Sequence, residues 1–483
     1  MDLTRIKKAY FIGIKGVGMT MLAQFMAGKG IAITGSDTEE KFMTDQVLKK
    51  AGIRVIEHFS EENVPKDADM IVYSTAYNLT NNVEVAAALR GRTRSLTYAE
   101  MLAEIFNSYY GVAVCGSHGK TTTTAWLGFL LREAGKEPNV MVGSRVPQFE
   151  GASLVGASDM LIIEADEYQN KLRYFLPRVV LMNNIDYDHP DFYPTEEDYI
   201  KAFADFAKKL SAKGLLVANY DDEKIRKYVI PECKAKVVTY GLKEGADLVG
   251  YDLRVSDGRQ YFKVRLKSDE SALVADSARN KILQKETNEL GDFSISLAGH
   301  HNVANALAVI AASLELGVSL LDIRRFLGEF LGTARRLELL GEFRGAKIYD
   351  DYAHHPTEIR ATLGGVRQLY PKNKVKVVFH PHTYSRTMAL LDQFAESFAL
   401  ADELIVLDIY GSAREQQGGV HSQDLVAKIE ALRPKGFAPE KVSYIPQSKE
   451  CERYLRETIR KGDVVVLVGA GDVFRIGESL INN

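Results

Sequence analysis

Gly116-Ser117-His118-Gly119-Lys120-Thr121-Thr122 combines two spaced glycines, one lysine and a run of hydroxyl side chains. It follows the apolar run Val112 to Cys115 and precedes Ala125 to Leu131, a predicted helix ending near Gly135. Strand, glycine loop, Lys-Thr and helix make the layout of a phosphate-binding loop. Backbone N–H groups and the helix N-terminus face an anion. The lysine brings a point charge to the phosphates, and the threonine hydroxyl can ligate Mg²⁺. The loop is shorter than the common form, because Val114 stands where the first glycine would be. Its chemistry is the use of ATP.

Other residues extend that chemistry. Glu164-Ala165-Asp166-Glu167 ends one apolar strand, and Asp186-Tyr187-Asp188-His189 follows the next. Parallel strands present such ends on one sheet edge. Mg²⁺ prefers oxygen ligands, so Thr121, Glu164 and His189 form a candidate set with one imidazole. Asn302 and Asn305 stand one helical turn apart, suited either to capping or to a purine edge. Arg335-Arg336 can bring positive charge to a transferring phosphoryl group. His382, Tyr384 and Arg386, after another strand, suit a small zwitterion or carboxylate. Near the N-terminus, Gly13-x-x-Gly16-x-Gly18 follows a strand, and Asp37 falls where a ribose-binding acid would stand. That spacing fits a nucleotide diphosphate. It also admits a nicotinamide dehydrogenase, which leaves Lys120 and Glu164 without a task.

Three α/β units must position these groups. The first, residues 1–107, runs through strands Ala9–Ile14, Ile31–Thr34, Arg54–Ile56 and Met70–Ser74, with a helix over Met19–Gly28. The second, 108–330, carries the phosphate loop, strands Met160–Glu164 and Val179–Asn184, an alternating antiparallel stretch over Asp247–Leu297 and a helix over Asn302–Leu316. The third, 331–483, has strands Ala346–Tyr349, Val375–Phe379, Glu403–Leu407 and Val464–Val468. The length of 483 residues agrees with about three domains. A formal net charge of −3, spread along the chain, gives no reason to expect nucleic acid or a membrane surface as partner. No apolar run is long enough to span a bilayer. Cys115, Cys233 and Cys451 lack metal spacing and read as reduced thiols of a cytoplasmic protein, with Cys115 packed beneath its strand.

In joint order these motifs resemble the Mur ligase family, ATP-dependent amide-forming enzymes of peptidoglycan assembly. The resemblance runs from Gly13-Ile14-Lys15-Gly16-Val17-Gly18 and Gly35-Ser36-Asp37 through the phosphate loop, Glu164-Ala165-Asp166-Glu167, Asp188-His189 and His301-Asn302 with Asn305. It continues to Arg336, Asp351-Tyr352-Ala353-His354-His355-Pro356 and Pro381-His382-Thr383-Tyr384-Ser385-Arg386. It implies an α/β fold of three domains: an N-terminal Rossmann-like UDP-binding domain, a central P-loop-type ATPase domain and a C-terminal Rossmann-like domain. It implies that Lys120, Glu164, His189 and Arg336 are catalytic, and that Thr121, Glu164 and His189 hold Mg²⁺. It assigns ATP to Gly116, His118, Gly119, Lys120, Thr121, Thr122, Asn302, Asn305, Arg336 and Asp351. It assigns the UDP-sugar to Gly16, Gly18, Ser36, Asp37, Ser74 and Thr75, and an amino acid to Tyr352, His382 and Arg386. The implied substrates are ATP, UDP-N-acetylmuramate and L-alanine, with a murein tripeptide as the alternative amine. A monomer or homodimer is expected.

Overall fold

The computed structural model describes residues 2–42, 44–267, 288–411, 418–433 and 439–482. Residues 268–287 of the anticipated antiparallel stretch lie outside it. Among the described residues the strands form three sheets, one in each α/β unit.

The first sheet is parallel, in the order Arg54–Ile56, Ala32–Ser36, Lys8–Ile12, Met70–Tyr73, Arg94–Thr97. Its strand order reverses at Lys8–Ile12, so a crevice opens at the carboxyl end of that strand, where the glycine turn lies. The helix that follows is Val17–Gly28, and it buries Met19, Leu22, Phe25 and Met26.

The second sheet has ten strands. At its centre Tyr110–Cys115 lies between Val179–Met182 and Met160–Glu164, parallel to both. Val114 pairs with Glu164 and Cys115 with Met182, so both neighbouring strands end beside the phosphate loop. Leu248–Ser256 still pairs parallel with Lys236–Gly241, and beyond it the sheet turns antiparallel through Arg259–Leu266 and Glu289–Ile295. The strand Arg259–Leu266 alternates half-exposed and buried residues, which is the pattern of a sheet with one dry face.

The helix after the phosphate loop starts at Lys120 rather than near Ala125 and runs to Glu133. Its four threonines are modest helix formers, but tertiary packing overrides propensity here. Trp126, Leu127, Leu130 and Leu131 are fully buried, each contributing about 2 kcal/mol by burial. Trp126 stacks on Phe330 at 5.3 Å, and its indole N–H donates to the Leu327 carbonyl at 3.0 Å. The helix His300–Glu315 shares this core. Its N-cap is Gly299, so Asn302 lies inside the helix and is not its cap.

The third sheet runs Glu338–Phe343, Ala346–Asp351, Val464–Val468, Val375–Phe379, Glu403–Val406, Lys441–Tyr444. All neighbours are parallel except the first pair. Asp351 closes one of its strands, opposite Val468.

Candidate active site

Gly119 has φ 80° and caps the helix Lys120–Glu133. A Cβ there would lie 2.7 Å from Asn305 Oδ1 and 2.9 Å from Asn183 Nδ2, so only glycine fits both the backbone and the space. The first N–H groups of the helix have no carbonyl within it to bond and are available to an anion. The loop is braced by the strand end next door. Asn184 accepts from the His118 N–H at 2.8 Å, and Asn183 donates to Thr123 Oγ1 at 3.0 Å.

Lys120 Nζ donates to the carbonyls of Gly116 at 2.6 Å and Ser117 at 3.1 Å, and to Glu167 Oε2 at 3.0 Å. Burial works against its charge, but Glu167, Asp166 and Glu164 outweigh burial and raise its pKa, so it stays cationic. Glu167 is itself buried and accepts from the Tyr199 hydroxyl at 2.9 Å. Thr121 Oγ1 donates to Glu164 Oε1 at 3.0 Å, and Glu164 Oε2 accepts from the Gly143 N–H at 3.0 Å. His189 takes φ 59° and points Nε2 toward Glu167 Oε1 at 3.9 Å and Asp188 Oδ2 at 3.7 Å, with its ring over Tyr168. The fold thus joins Thr121 to Glu164 directly, while the nearest carboxylates to His189 are Glu167 and Asp188. Two hard oxygen donors beside a phosphate loop fit Mg²⁺.

A cavity of about 910 Å³ opens between the second and third units, lined by His118, Gly119, Thr122, Asn302, Asn305, Arg336 and Asp351. Asn305 donates to Asn302 Oδ1 at 3.1 Å, which ties the two amides together. Asp351 accepts from the N–H groups of Leu337 at 2.7 Å and Ala353 at 2.8 Å. Burial raises its pKa to about 6 against the pull of Arg336. Arg336 lies over the Tyr352 ring at 5.4 Å and donates to Glu358 Oε1 at 3.5 Å. His118 bridges the units: Nε2 is 3.0 Å from Asp186 Oδ2, and Nδ1 is 3.2 Å from Glu358 Oε1. Burial alone would lower the His118 pKa, yet the hydrogen bonds to these two carboxylates raise it to about 9.

The residues anticipated around the amino acid also meet at this boundary. Arg386 Nη1 lies 3.3 Å from His382 Nδ1, and the His382 ring is 6.2 Å from His354, which in turn packs edge-on to Tyr352. Burial drives the His354 pKa down to about 3, so this imidazole is neutral. Arg386 holds Asp188 of the central unit through two hydrogen bonds, of 3.0 and 3.3 Å.

In the N-terminal unit, Gly18 meets the Tyr98 ring so closely that a Cβ would fall 2.8 Å from Cζ. Gly16 caps the helix Val17–Gly28. Asp37 accepts from the Lys15 N–H at 2.7 Å and the Thr38 N–H at 2.8 Å, holding the glycine turn from below. Ser36 is fully buried and donates to Glu84. Ser74 begins the turn after Met70–Tyr73, its N–H bonded to the Ile12 carbonyl at 2.9 Å, with Thr75 exposed beside it. These residues surround the glycine turn, and Ser36 and Asp37 serve its shape.

Sequence reasoning assigned no role to Glu167, Asp186, Asp188 or Glu358. The first three lie in polar strand ends, and Glu167 and Asp188 also stand within the motifs that carry the resemblance. Glu358 sits in the first turn of a helix, where an acid is ordinary.

A three-domain α/β fold with a phosphate loop facing an arginine from the next domain defines an ATP-dependent ligase, and the chain belongs to the Mur ligase family. Residues 8–110 match its domain described as Mur ligase family, catalytic domain; residues 114–313 match the Mur ligase middle domain; residues 335–471 match the Mur ligase, glutamate ligase domain. Among its relatives is a UDP-N-acetylmuramate–L-alanine ligase from Desulfitobacterium hafniense, 38% identical over 98% of this chain and 99% of the relative. One of the same name from Alkaliphilus metalliredigens is 37% identical over 100% and 98%. The fold is shared with the crystal structure of a UDP-N-acetylmuramate-alanine ligase from Thermotoga maritima, with TM-score 0.79, 24% identity and 98% of each chain covered. It is also shared with a murein peptide ligase from Psychrobacter arcticus, with TM-score 0.71, 21% identity, and 99% and 98% covered.

Proposed function

We propose that this chain joins L-alanine to the lactyl carboxylate of UDP-N-acetylmuramate, converting ATP to ADP and phosphate, as a step of peptidoglycan precursor synthesis. The observation that carries the reading is full-length identity of 38% to a relative of that name, combined with the His118–Glu358 contact at the interdomain cavity and the Lys120–Glu167 pair in the phosphate loop.

A carboxylate is a poor electrophile, so the reaction needs activation. Attack of the lactyl carboxylate on the γ-phosphorus of ATP expels ADP and forms an acyl phosphate. The alanine amine then adds to the acyl carbon, and loss of phosphate and a proton leaves the amide. Negative charge accumulates at each stage, so placed cations and N–H dipoles are the appropriate catalyst. Lys120 and the helix N-terminus suit the β- and γ-phosphates. Arg336 suits the transferring group, and Asn302, Asn305 and Asp351 suit the nucleoside end. Thr121, Glu164 and His189 would hold Mg²⁺, which supplies charge neutralisation when bound. Gly16, Gly18, Ser36, Asp37, Ser74 and Thr75 form or shape the UDP-sugar site. Tyr352, His382 and Arg386 would receive the amino acid, with Arg386 exchanging part of its contact to Asp188 for the substrate carboxylate. Closure of the third domain would exclude water, which otherwise hydrolyses an acyl phosphate.

We place the reaction in the cytoplasm. Cys115, Cys233 and Cys451 are free thiols, and no helix of the described residues is long and apolar enough to cross a membrane. The test is phosphate release from ATP and UDP-N-acetylmuramate with Mg²⁺, comparing no amine, L-alanine, and L-alanyl-γ-D-glutamyl-diaminopimelate. Release dependent on L-alanine supports the proposal. Release only with the tripeptide replaces it with the recycling ligation.

A further inference from the structure

Glu358 lies on the first turn of the helix Pro356–Leu369, with its side chain nearly buried. Its Oε1 faces His118 Nδ1 at 3.2 Å and accepts from Arg336 Nη1 at 3.5 Å. Its Oε2 accepts from the His354 N–H at 3.0 Å. One carboxylate of the third domain therefore contacts the phosphate loop, the arginine aimed at the cavity and the histidine loop at once. The surroundings fix its place. Pro356 starts the helix, His355 caps it by accepting from the Thr357 N–H, and Thr357 Oγ1 donates to Asp186 Oδ2 at 2.6 Å. His118 is thus clasped between Asp186 of its own domain and Glu358 of the next. An acid in a first helical turn normally serves the helix dipole from solvent. Burial of a carboxylate is costly unless its partners compensate, and each partner here belongs to the site.

We propose that Glu358 is a positioning residue for phosphoryl transfer: it sets Arg336 and the His118 end of the phosphate loop in one register, so that closure of the third domain and alignment of the loop occur together. The long contact to Arg336, beside the short one to the His354 N–H, leaves the guanidinium ready to exchange a carboxylate oxygen for a phosphate oxygen. The inference rests on the ligase reading above for its kinetic consequence, though not for its binding consequence.

Two measurements test it. In phosphate release with L-alanine, Glu358→Gln should lower kcat at least about tenfold while KM for UDP-N-acetylmuramate stays near wild type. Wild-type turnover from Glu358→Gln overturns the inference. Wild-type protein that releases no phosphate counts against the ligase reading, and binding then decides the role of Glu358. With a non-hydrolysable ATP analogue, the losses from His118→Gln and Arg336→Ala should be non-additive, because both residues act through Glu358. They should become additive in the Glu358→Gln background. If Glu358→Gln does not fold, the cycle in the wild-type background still decides: non-additive losses support the coupling, and additive losses overturn it.

Discussion

Arg386 and Asp188 form a two-pronged ion pair across the boundary between the third and central domains, with Nε–Oδ1 at 3.0 Å and Nη2–Oδ2 at 3.3 Å. Both side chains are buried, and the carboxylate pKa lies well below the ordinary range because Arg386 outweighs its desolvation. Removal of one partner leaves the other as an unpaired buried charge. Arg386→Met should therefore destabilise the closed arrangement by about 3 kcal/mol and raise KM for L-alanine. Denaturation and steady-state kinetics on the same preparation check both. An unchanged midpoint with unchanged KM would show that the pair neither fastens the domains nor borders the amino acid.

Lys120→Met removes the phosphate-loop lysine from its place against Glu167. Turnover should fall by at least about a hundredfold, while UDP-sugar binding, measured by calorimetry, should remain. Substantial activity would remove Lys120 from the phosphoryl-transfer step.

Arg336→Ala should leave UDP-sugar binding nearly intact and reduce turnover at least about tenfold. Normal turnover would contradict a role for the third domain in phosphoryl transfer.

Gly119→Ala combines a left-handed backbone with a clash against Asn305 and Asn183. Stability should drop by about 1–2 kcal/mol, and nucleotide affinity should fall with it, since Asn305 and the loop itself line the cavity and one of them must shift. Chemical denaturation and nucleotide titration read the two effects separately.

Stability should also depend on pH with a definite sign. His118 is raised from 6.5 to about 9 in the fold, so its contribution is full below pH about 6.5 and is lost as pH rises through about 9. His301 and His354 are lowered by burial, to about 4 and about 3, so the unfolded chain takes up protons first as pH falls below about 6.5, and stability is lost there too. Unfolding temperatures across pH 5–10 should pass a maximum, and His118→Gln should flatten the alkaline side. An unaltered alkaline limb in that variant would contradict a charged His118.

The groups legible in the sequence were those whose chemistry and position on an element coincide. Lys120 follows a glycine pair at a helix start, and Glu164 ends an apolar strand that pairs with Val114, so strand-end logic alone brings it beside Thr121. The parallel sheets were legible from uninterrupted apolar runs such as Val375–Phe379. What stayed hidden depends on distance along the chain or on competing local explanations. Arg386 and Asp188 are 198 positions apart, and no periodicity links them. Glu358 looks like a first-turn acid until His118, 240 positions away, is placed against it. Ser36 suggests a ligand hydroxyl after a strand, but its partner is Glu84 inside the first domain. The helix start at Lys120 was obscured by threonines whose weak propensity is overridden by the buried Trp126 face.

The most direct test of carboxylate activation uses UDP-N-acetylmuramate labelled with ¹⁸O in the lactyl carboxylate, incubated with ATP, Mg²⁺ and L-alanine. The account predicts one ¹⁸O in each phosphate released and a UDP-sugar product extended by a single alanine residue. Unlabelled phosphate, or a UDP-sugar of unchanged mass, would contradict it.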